Sequence, residues 1–287
     1  ILLANPSLDY QVHNTVFLVA HFHNVAVPGV LFGMLAGYHF WFPKAFGFRL
    51  NERWGIFSAL CWIFGFMLAF FPLYALGIMG LPRRTVAYSQ PAYVPLEMVA
   101  FAGALLLGLA LAALLIQLWV SIRDRNENRV AAGDPWDGRS LEWAVSAPPP
   151  EYNFPVIPTV NDRDAFTAAK EFGRGYQEPD EYVDIEMPRN SAIGPGLGTL
   201  GFGLAFGLVW HIWLLVILAA LGVVAAMIVR GFARDITKTI TASEVRREHR
   251  RWLDVVRIAS AITRADESRP ANQGLAELEQ ALAQATP

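Results

Sequence analysis

The chain has 287 residues, 54% of them hydrophobic, with a mean hydropathy of +0.33 and a formal net charge of −2. Because the apolar residues are clustered, this composition excludes an ordinary soluble domain and indicates a polytopic membrane protein. The near-neutral balance gives no basis for a nucleic-acid partner. A single cysteine, Cys61, excludes internal disulfides and thiolate clusters, so any metal here is held by nitrogen. The chain opens Ile-Leu-Leu-Ala without an initiator Met or a signal-peptide pattern, and is expected to be the C-terminal part of a longer polypeptide.

Five candidate spans follow from apolar runs of about 18 residues or more. The first runs from Val12 to Phe42 and contains His21-Phe22-His23 inside a membrane-length apolar stretch, where ionisable side chains are costly and are read as functional. On one helix, positions two apart point about 200° from each other. The two imidazoles therefore cannot share one metal ion and serve two sites on opposite flanks. A neutral imidazole in apolar surroundings, without carboxylate or thiolate co-ligands, fits an axial ligand to haem iron. The alternative is a pair of histidines hydrogen-bonded to neighbouring helices.

The same span carries Gly29, Gly33 and Gly37, a smooth stripe expected to let another helix approach closely. Pro28 removes a hydrogen bond to the Asn24 carbonyl and predicts a kink just past the histidines. Asp9 and His13 are four apart, hence on one face about two to three turns above His21. There they are read as orienting an anionic group or water, or as a plain interfacial pair. His39, His211 and His249 are expected to be an interfacial, a hairpin-tip and a solvated tail histidine.

The second span, Ile56 to Gly80, is followed by Arg83-Arg84. Lys44, Arg49 and Arg53 follow span one, Arg123, Arg125 and Arg129 follow span three (Leu96 to Val120), and Arg230 and Arg234 follow the last apolar run. The positive-inside rule puts all of these in the cytoplasm, which leaves Arg83 and Arg84 outside. Adjacent arginines on the wrong side call for a local anion, and haem propionates are carboxylates at a membrane edge.

A polar segment, 123–190, contains Asp134-Pro135-Trp136-Asp137-Gly138-Arg139 and Pro148-Pro149-Pro150 and is expected to lie extended over the cytoplasmic surface without a core of its own. The run Ala192 to Val229 would be about 57 Å as one helix, too long for one crossing. It is better divided near Trp210-His211-Ile212-Trp213, as an additional transmembrane hairpin over 191–230. The remainder, 231–287, predicts a cytoplasmic tail. It opens with a basic amphipathic helix from Ser243 that rests on anionic headgroups, and ends in a mobile Ala- and Gln-rich stretch.

Three blocks resemble subunit I of the haem–copper oxidases: His13 to His23, Pro72 to Arg84, and Asp134 to Trp143 with Pro148 to Phe154. Within that family the chain is most similar to the cytochrome bo-type ubiquinol oxidases, whose subunit I carries an added C-terminal hairpin. The resemblance implies an all-α, polytopic transmembrane helix bundle, the C-terminal part of the subunit I fold, with residues 1–122 forming three core helices that carry haem ligands. It makes His21 the ligand of a high-spin haem (o- or a-type) and His23 a ligand of a low-spin haem b. Phe22 lies between the two, Arg83 and Arg84 hold propionates, and Asp9 and His13 stand near the same edge. Asn14 stands where cytochrome c oxidases commonly have Asp at an outer magnesium site, so that magnesium gains no support.

The implied function is oxidation of ubiquinol, reduction of oxygen to water at a haem–copper centre and proton pumping, in a bacterial inner membrane. Partner subunits II, III and IV and membrane lipid are expected, and no nucleic acid. The copper ligands are expected upstream of Ile1, so this stretch alone is not expected to be active. Cytochrome c oxidase subunit I is the second reading, and a cofactor-free assembly or transport subunit the third.

Overall fold

The computed structural model describes residues 2–86, 90–130 and 132–267. It is almost entirely helical and divides into two compact units, one built on Ile1–Pro150 with Val160–Tyr176 and the stretch from Val255, the other on Glu151–Thr159 with Gln177–Asp254.

In the first unit a short helix α1 (Pro6–Val12) precedes the histidine helix, α2 (Val16–Ala26). The chain breaks between them because Asn14 takes a left-handed backbone conformation (φ 58°), which asparagine tolerates better than most residues. Thr15 then caps α2, its hydroxyl donating to the Val12 carbonyl at 2.6 Å and accepting from Phe17 N–H at 3.2 Å. The single cylinder expected from Val12 onward is therefore two helices, and Asp9 and His13 do not stack above His21 on one face. Past the histidines the turn widens to a π-helical stretch over Val27–Phe32, with Pro28 in its first turn, and then tightens into α3 (Gly33–Phe46). The irregularity falls where proline denies the ladder a donor.

Helices α4 (Glu52–Ile78) and α5 (Val94–Arg123) are long enough to cross a bilayer and pack closely on each other. A Cβ at Gly103 would collide with the α4 backbone at Ala69, and one at Gly77 with the α2 backbone at Phe17. These two positions, not the expected stripe, bring helices together: Gly29 and Gly33 have open space around them, and Gly37 meets only the ring of Trp41. At one end Val16, Leu76, Leu81 and Tyr93 form a buried cluster with Leu73 and Leu96 against it. Elsewhere the helices present rows of exposed Phe, Leu, Ile and Met, a surface suited to lipid or further helices.

The polar segment differs from its expected extended course. Trp143, Val145 and Phe166 are buried, the last on α6 (Ala165–Glu171), and Trp143 packs edge-on against Phe40 of α3 at 5.1 Å. Lys170 ties this layer together through Asp134 at 2.8 Å, Asp137 at 2.6 Å and the Gly138 carbonyl at 3.0 Å. Burial alone would lower the Lys170 pKa, but the bonds to Asp134 and Asp137 outweigh it and the net shift is upward.

In the second unit, strand β1 (Ile185–Pro188) leads into helices α7 (Ile193–Val209) and α8 (Trp213–Gly231), and strand β2 (Thr237–Ile240) follows. The helices pack on each other and turn at Trp210–Ile212, where exposed His211 adopts a left-handed φ of 56°. The strands pair antiparallel, Ile185 with Ile240 and Pro188 with Thr237, and Arg189 continues the pairing through its N–H to Ile236 and an ion pair to Asp235. This ribbon holds the two ends of the helix pair on one side.

Helix α9 (Ala242–Glu267) turns Val245, His249, Trp252 and Leu253 inward. Its amphipathic face is thus used within the chain, where the sequence suggested headgroups. His249 is buried beside Tyr182 and is not solvated. The expected mobile tail beyond 267 lies outside the described residues.

Candidate functional site

Helix α2 faces α4 through Phe17 and Ala20, with Phe17 edge-on to Tyr74 at 4.8 Å. His23 lies on one flank of that contact, and its ring stacks on Phe70 of α4 (centroids 4.3 Å, planes 14° apart). Its Nδ1 stands 2.7 Å from the Val19 carbonyl. A carbonyl only accepts, so Nδ1 carries the proton and the neutral ring offers its Nε2 lone pair outward. A carbonyl behind Nδ1 is the usual support of a histidine that ligates metal through its other nitrogen.

His21 lies on the other flank, about 200° away at helical pitch. It is half-buried, and neither ring nitrogen has a hydrogen-bond partner among the described residues. Phe22, between the two, is 70% exposed and points away from the other helices of the chain. One half-turn thus holds a histidine oriented by its own helix, a bare histidine and an outward phenyl ring.

The loop with Arg83 and Arg84 is fastened to the start of this helix. Val16 N–H donates to the Leu81 carbonyl at 3.0 Å, Arg83 N–H to the Asn14 carbonyl at 2.9 Å, and Thr15 and Pro82 form an isolated bridge. At 1.5 Å per residue, Thr15 is about 9 Å along the axis from His21. The two arginines are therefore held beyond the same end of α2, as their placement after span two required. Arg84 adopts a left-handed φ of 66°, unusual for a long side chain. The Arg83 Nε is buried and has no acceptor among the described residues. A guanidinium nitrogen withdrawn from water without a partner is costly, and an anion at the rest of the fork would offset it.

Asp9 and His13 do meet, Oδ2 to Nδ1 at 3.6 Å, on the exposed flank of α1. They are a solvent-facing pair on a helix separate from α2.

The donor set fits haem: a tautomer-fixed imidazole, a second imidazole without a partner on the opposite flank, and a cation with an unpaired buried nitrogen at the helix end. Among the described residues there is no group of three or more His, Cys, Asp or Glu that could hold a metal ion.

Two features here were not read from the sequence. The Phe70 stack is one of several aromatic positions on α4, with no mark in the sequence to single it out. His39, expected to be a bland interfacial residue, bonds through Nδ1 to the Leu35 carbonyl at 2.8 Å and through Nε2 to Gln117 at 3.2 Å. Gln117 in turn donates to the Asn51 carbonyl at 3.1 Å, which links α3, α4 and α5 through one buried amide. A lone Gln in an apolar helix was the available signal for that link.

Helices long and apolar enough to cross a bilayer, one of them carrying two imidazoles and tied at its start to an arginine loop, mark a membrane protein with a candidate cofactor site. Residues 1–106 match the model of the cytochrome c and quinol oxidase polypeptide I family. The chain is 45% identical over 262 residues to ubiquinol oxidase subunit 1 of Acetobacter aceti, covering 88% of this chain and 39% of that protein. It is 42% identical to the cytochrome bo(3) ubiquinol oxidase subunit 1 of a Buchnera aphidicola strain, covering 86% of this chain and 37% of that protein. It is 46% identical to a probable cytochrome c oxidase subunit 1 of Bradyrhizobium diazoefficiens, covering 86% and 38%. The chain therefore spans 37–39% of the length of these curated relatives. Its apolar helices and these bacterial relatives mark it as a multi-pass protein of the bacterial inner membrane.

Proposed function

We propose that the chain supplies the haem-binding part of subunit I in a proton-pumping terminal oxidase that takes electrons from ubiquinol and reduces oxygen to water. The observation that carries this is the contrast between the two imidazoles of α2: His23 is fixed by Val19, and neither His23 Nε2 nor either nitrogen of His21 has a hydrogen-bond partner among the described residues. His23 would then hold a low-spin haem b, and His21 a high-spin haem of o- or a-type. The haems supply reversible one-electron change at iron and, where only one histidine binds, an open position for oxygen.

The chain's own residues set the geometry. The Val19 carbonyl orients His23, and the backbone of α2 keeps the two rings on opposite flanks. Phe22 lies between them on the helix. Arg83 and Arg84 meet the propionates of the haems at the end of α2, and Asp9 and His13 stand at the watery rim of that edge. Copper, a second low-spin ligand and oxidase subunits II, III and IV belong to the complete enzyme.

The test is substitution in the intact oxidase. His23→Ala should abolish the low-spin haem signal and spare carbon monoxide binding, while His21→Ala should abolish carbon monoxide binding. Loss of the same haem in both variants defeats the two-site reading. The 46% identity to a probable cytochrome c oxidase subunit keeps electron entry from cytochrome c as the second reading. Turnover of the intact enzyme with ubiquinol and not with reduced cytochrome c is the expected result; the converse would replace the quinol assignment. A cofactor-free transport subunit is disfavoured, because it has no use for a bare imidazole beside a tautomer-fixed one.

A further inference from the structure

We propose that Phe70 of α4 is the positioning residue that sets the rotation of the His23 ring and, through it, the electronic properties of the haem that His23 binds. This rests on the reading of His23 as an axial ligand and goes beyond it by naming what orients the ligand.

A single hydrogen bond fixes one edge of an imidazole and leaves the ring able to rock about it. The Val19 carbonyl is such a bond at 2.7 Å. Phe70 removes the remaining freedom by lying nearly parallel to the ring, 4.3 Å between centroids with 14° between planes. Phe70 is itself held. One helical turn earlier, Phe66 is buried and contacts it at 5.2 Å, and Phe66 is braced edge-on by Phe32 at 5.8 Å. The adjacent backbone at Ala69 is seated against Gly103 of α5, where a side chain could not fit. The orientation of the His23 ring is therefore set by α4 and by the helix packed behind it, as well as by its own turn.

The orientation has consequences at the iron. Rotation of an axial imidazole changes the overlap of its π orbitals with the metal, and outer contacts of a ligating histidine tune the metal it holds. A phenyl face also carries negative electrostatic potential, which favours the more positive, oxidised state of the ligand and iron beneath it. Removing the stack should loosen the ring and raise the midpoint potential.

The experiment uses the intact oxidase and reads redox titration and low-temperature electron paramagnetic resonance of the low-spin haem. Phe70→Leu should raise the midpoint potential and displace the g-values of that haem, with carbon monoxide binding retained. Phe70→Tyr, which keeps the flat ring, should stay close to the parent. Phe64→Leu, an exposed position on the same helix whose ring contacts neither Phe66, Phe70 nor His23 among the described residues, should shift neither readout. If Phe70→Leu does not assemble, Phe70→Met keeps the bulk without the ring and is expected to give the same shift. Unchanged g-values and potential in the assembled variant, or an equal shift from Phe64→Leu, overturn the proposal. Survival of the low-spin signal in His23→Ala would instead overturn the ligand assignment beneath it.

Discussion

Lys44 and Arg83 are two shielded cations in the same unit, and the chain treats them in opposite ways. The Lys44 ammonium is caged by three carbonyls of the polar segment, Gly133 at 3.1 Å, Val145 at 2.6 Å and Ser146 at 3.2 Å, with the Trp143 ring 5.6 Å away. All three of its protons have acceptors supplied by the chain. Arg83, beyond the far end of the histidine helix, has a buried Nε with none. One end of the unit is closed by its own backbone, while at the other a cation and an imidazole, His21, lack partners among the described residues. Complete internal pairing fits a structural cation, and the incomplete set makes Arg83 and His21 the proposed binding end.

Lys44→Met should break that contrast most strongly. It leaves three carbonyls turned inward without a donor, and at roughly 1 kcal/mol or more each the loss is about 3 kcal/mol. The layer from Val130 to Ser146 should then open about 100-fold more often, read as faster protease cleavage there in membranes, while haem content stays at the parent level. Equal cleavage rates in parent and variant would show that the cage contributes little.

Arg83→Leu should give the reverse pattern: unchanged cleavage of the polar segment and a lowered haem potential. A nearby cation favours the reduced, less positive iron, so removing it lowers the potential. For a charge about 10 Å away at an effective dielectric near 20, the effect is about 1–2 kcal/mol. Arg84→Leu should move the potential in the same direction. Potentials unchanged in both variants would remove the propionate assignment.

The sequence draws attention to the proposed binding end of this contrast more readily than to the structural end, for a physical reason. His21 and His23 stand out because an apolar run supplies no other polar group, and Arg83 and Arg84 because they stand on the side where basic residues are uncommon. Such signals are local. Lys44 looks like any basic residue closing a membrane helix, and its cage comes from residues about 90 to 100 positions later. The glycine stripe shows the same limit: spacing shows that a face is smooth but not which helix uses it, and among the described helices the close approaches fall at Gly77 and Gly103. The break before α2 was closer to legible. Asn14-Thr15 is a turn-and-cap pair, yet helical periodicity alone carried the cylinder through it and placed Asp9 and His13 above His21.

The histidines repeat the contrast, and His249 offers the smallest and most specific test of it. Where His21 is bare, His249 is consumed internally: its Nδ1 bonds the Tyr182 hydroxyl at 2.8 Å, and Trp252 stacks on its ring 5.6 Å away. Glu178, paired to Arg250, stands near it, Arg246 lies over Tyr182, and Glu248 on the same turn is bonded to Tyr152. Burial lowers its pKa below the ordinary 6.5, a shift that Glu178 opposes without reversing. The folded state thus holds the proton less tightly than the unfolded one. As pH falls through 6.5 toward the lowered value, the unfolded state takes up protons first and the docking of α9 weakens; above that window the stability is constant. Amide exchange in residues 244–256, corrected for intrinsic rates, should therefore quicken between pH 7.5 and pH 5.5. His249→Gln, which retains a polar side chain without a titrating ring, should flatten that dependence and leave both haem signals untouched. A pH dependence that persists unchanged in His249→Gln would assign it to another group, and a changed haem signal would mean that this histidine, too, serves the binding end.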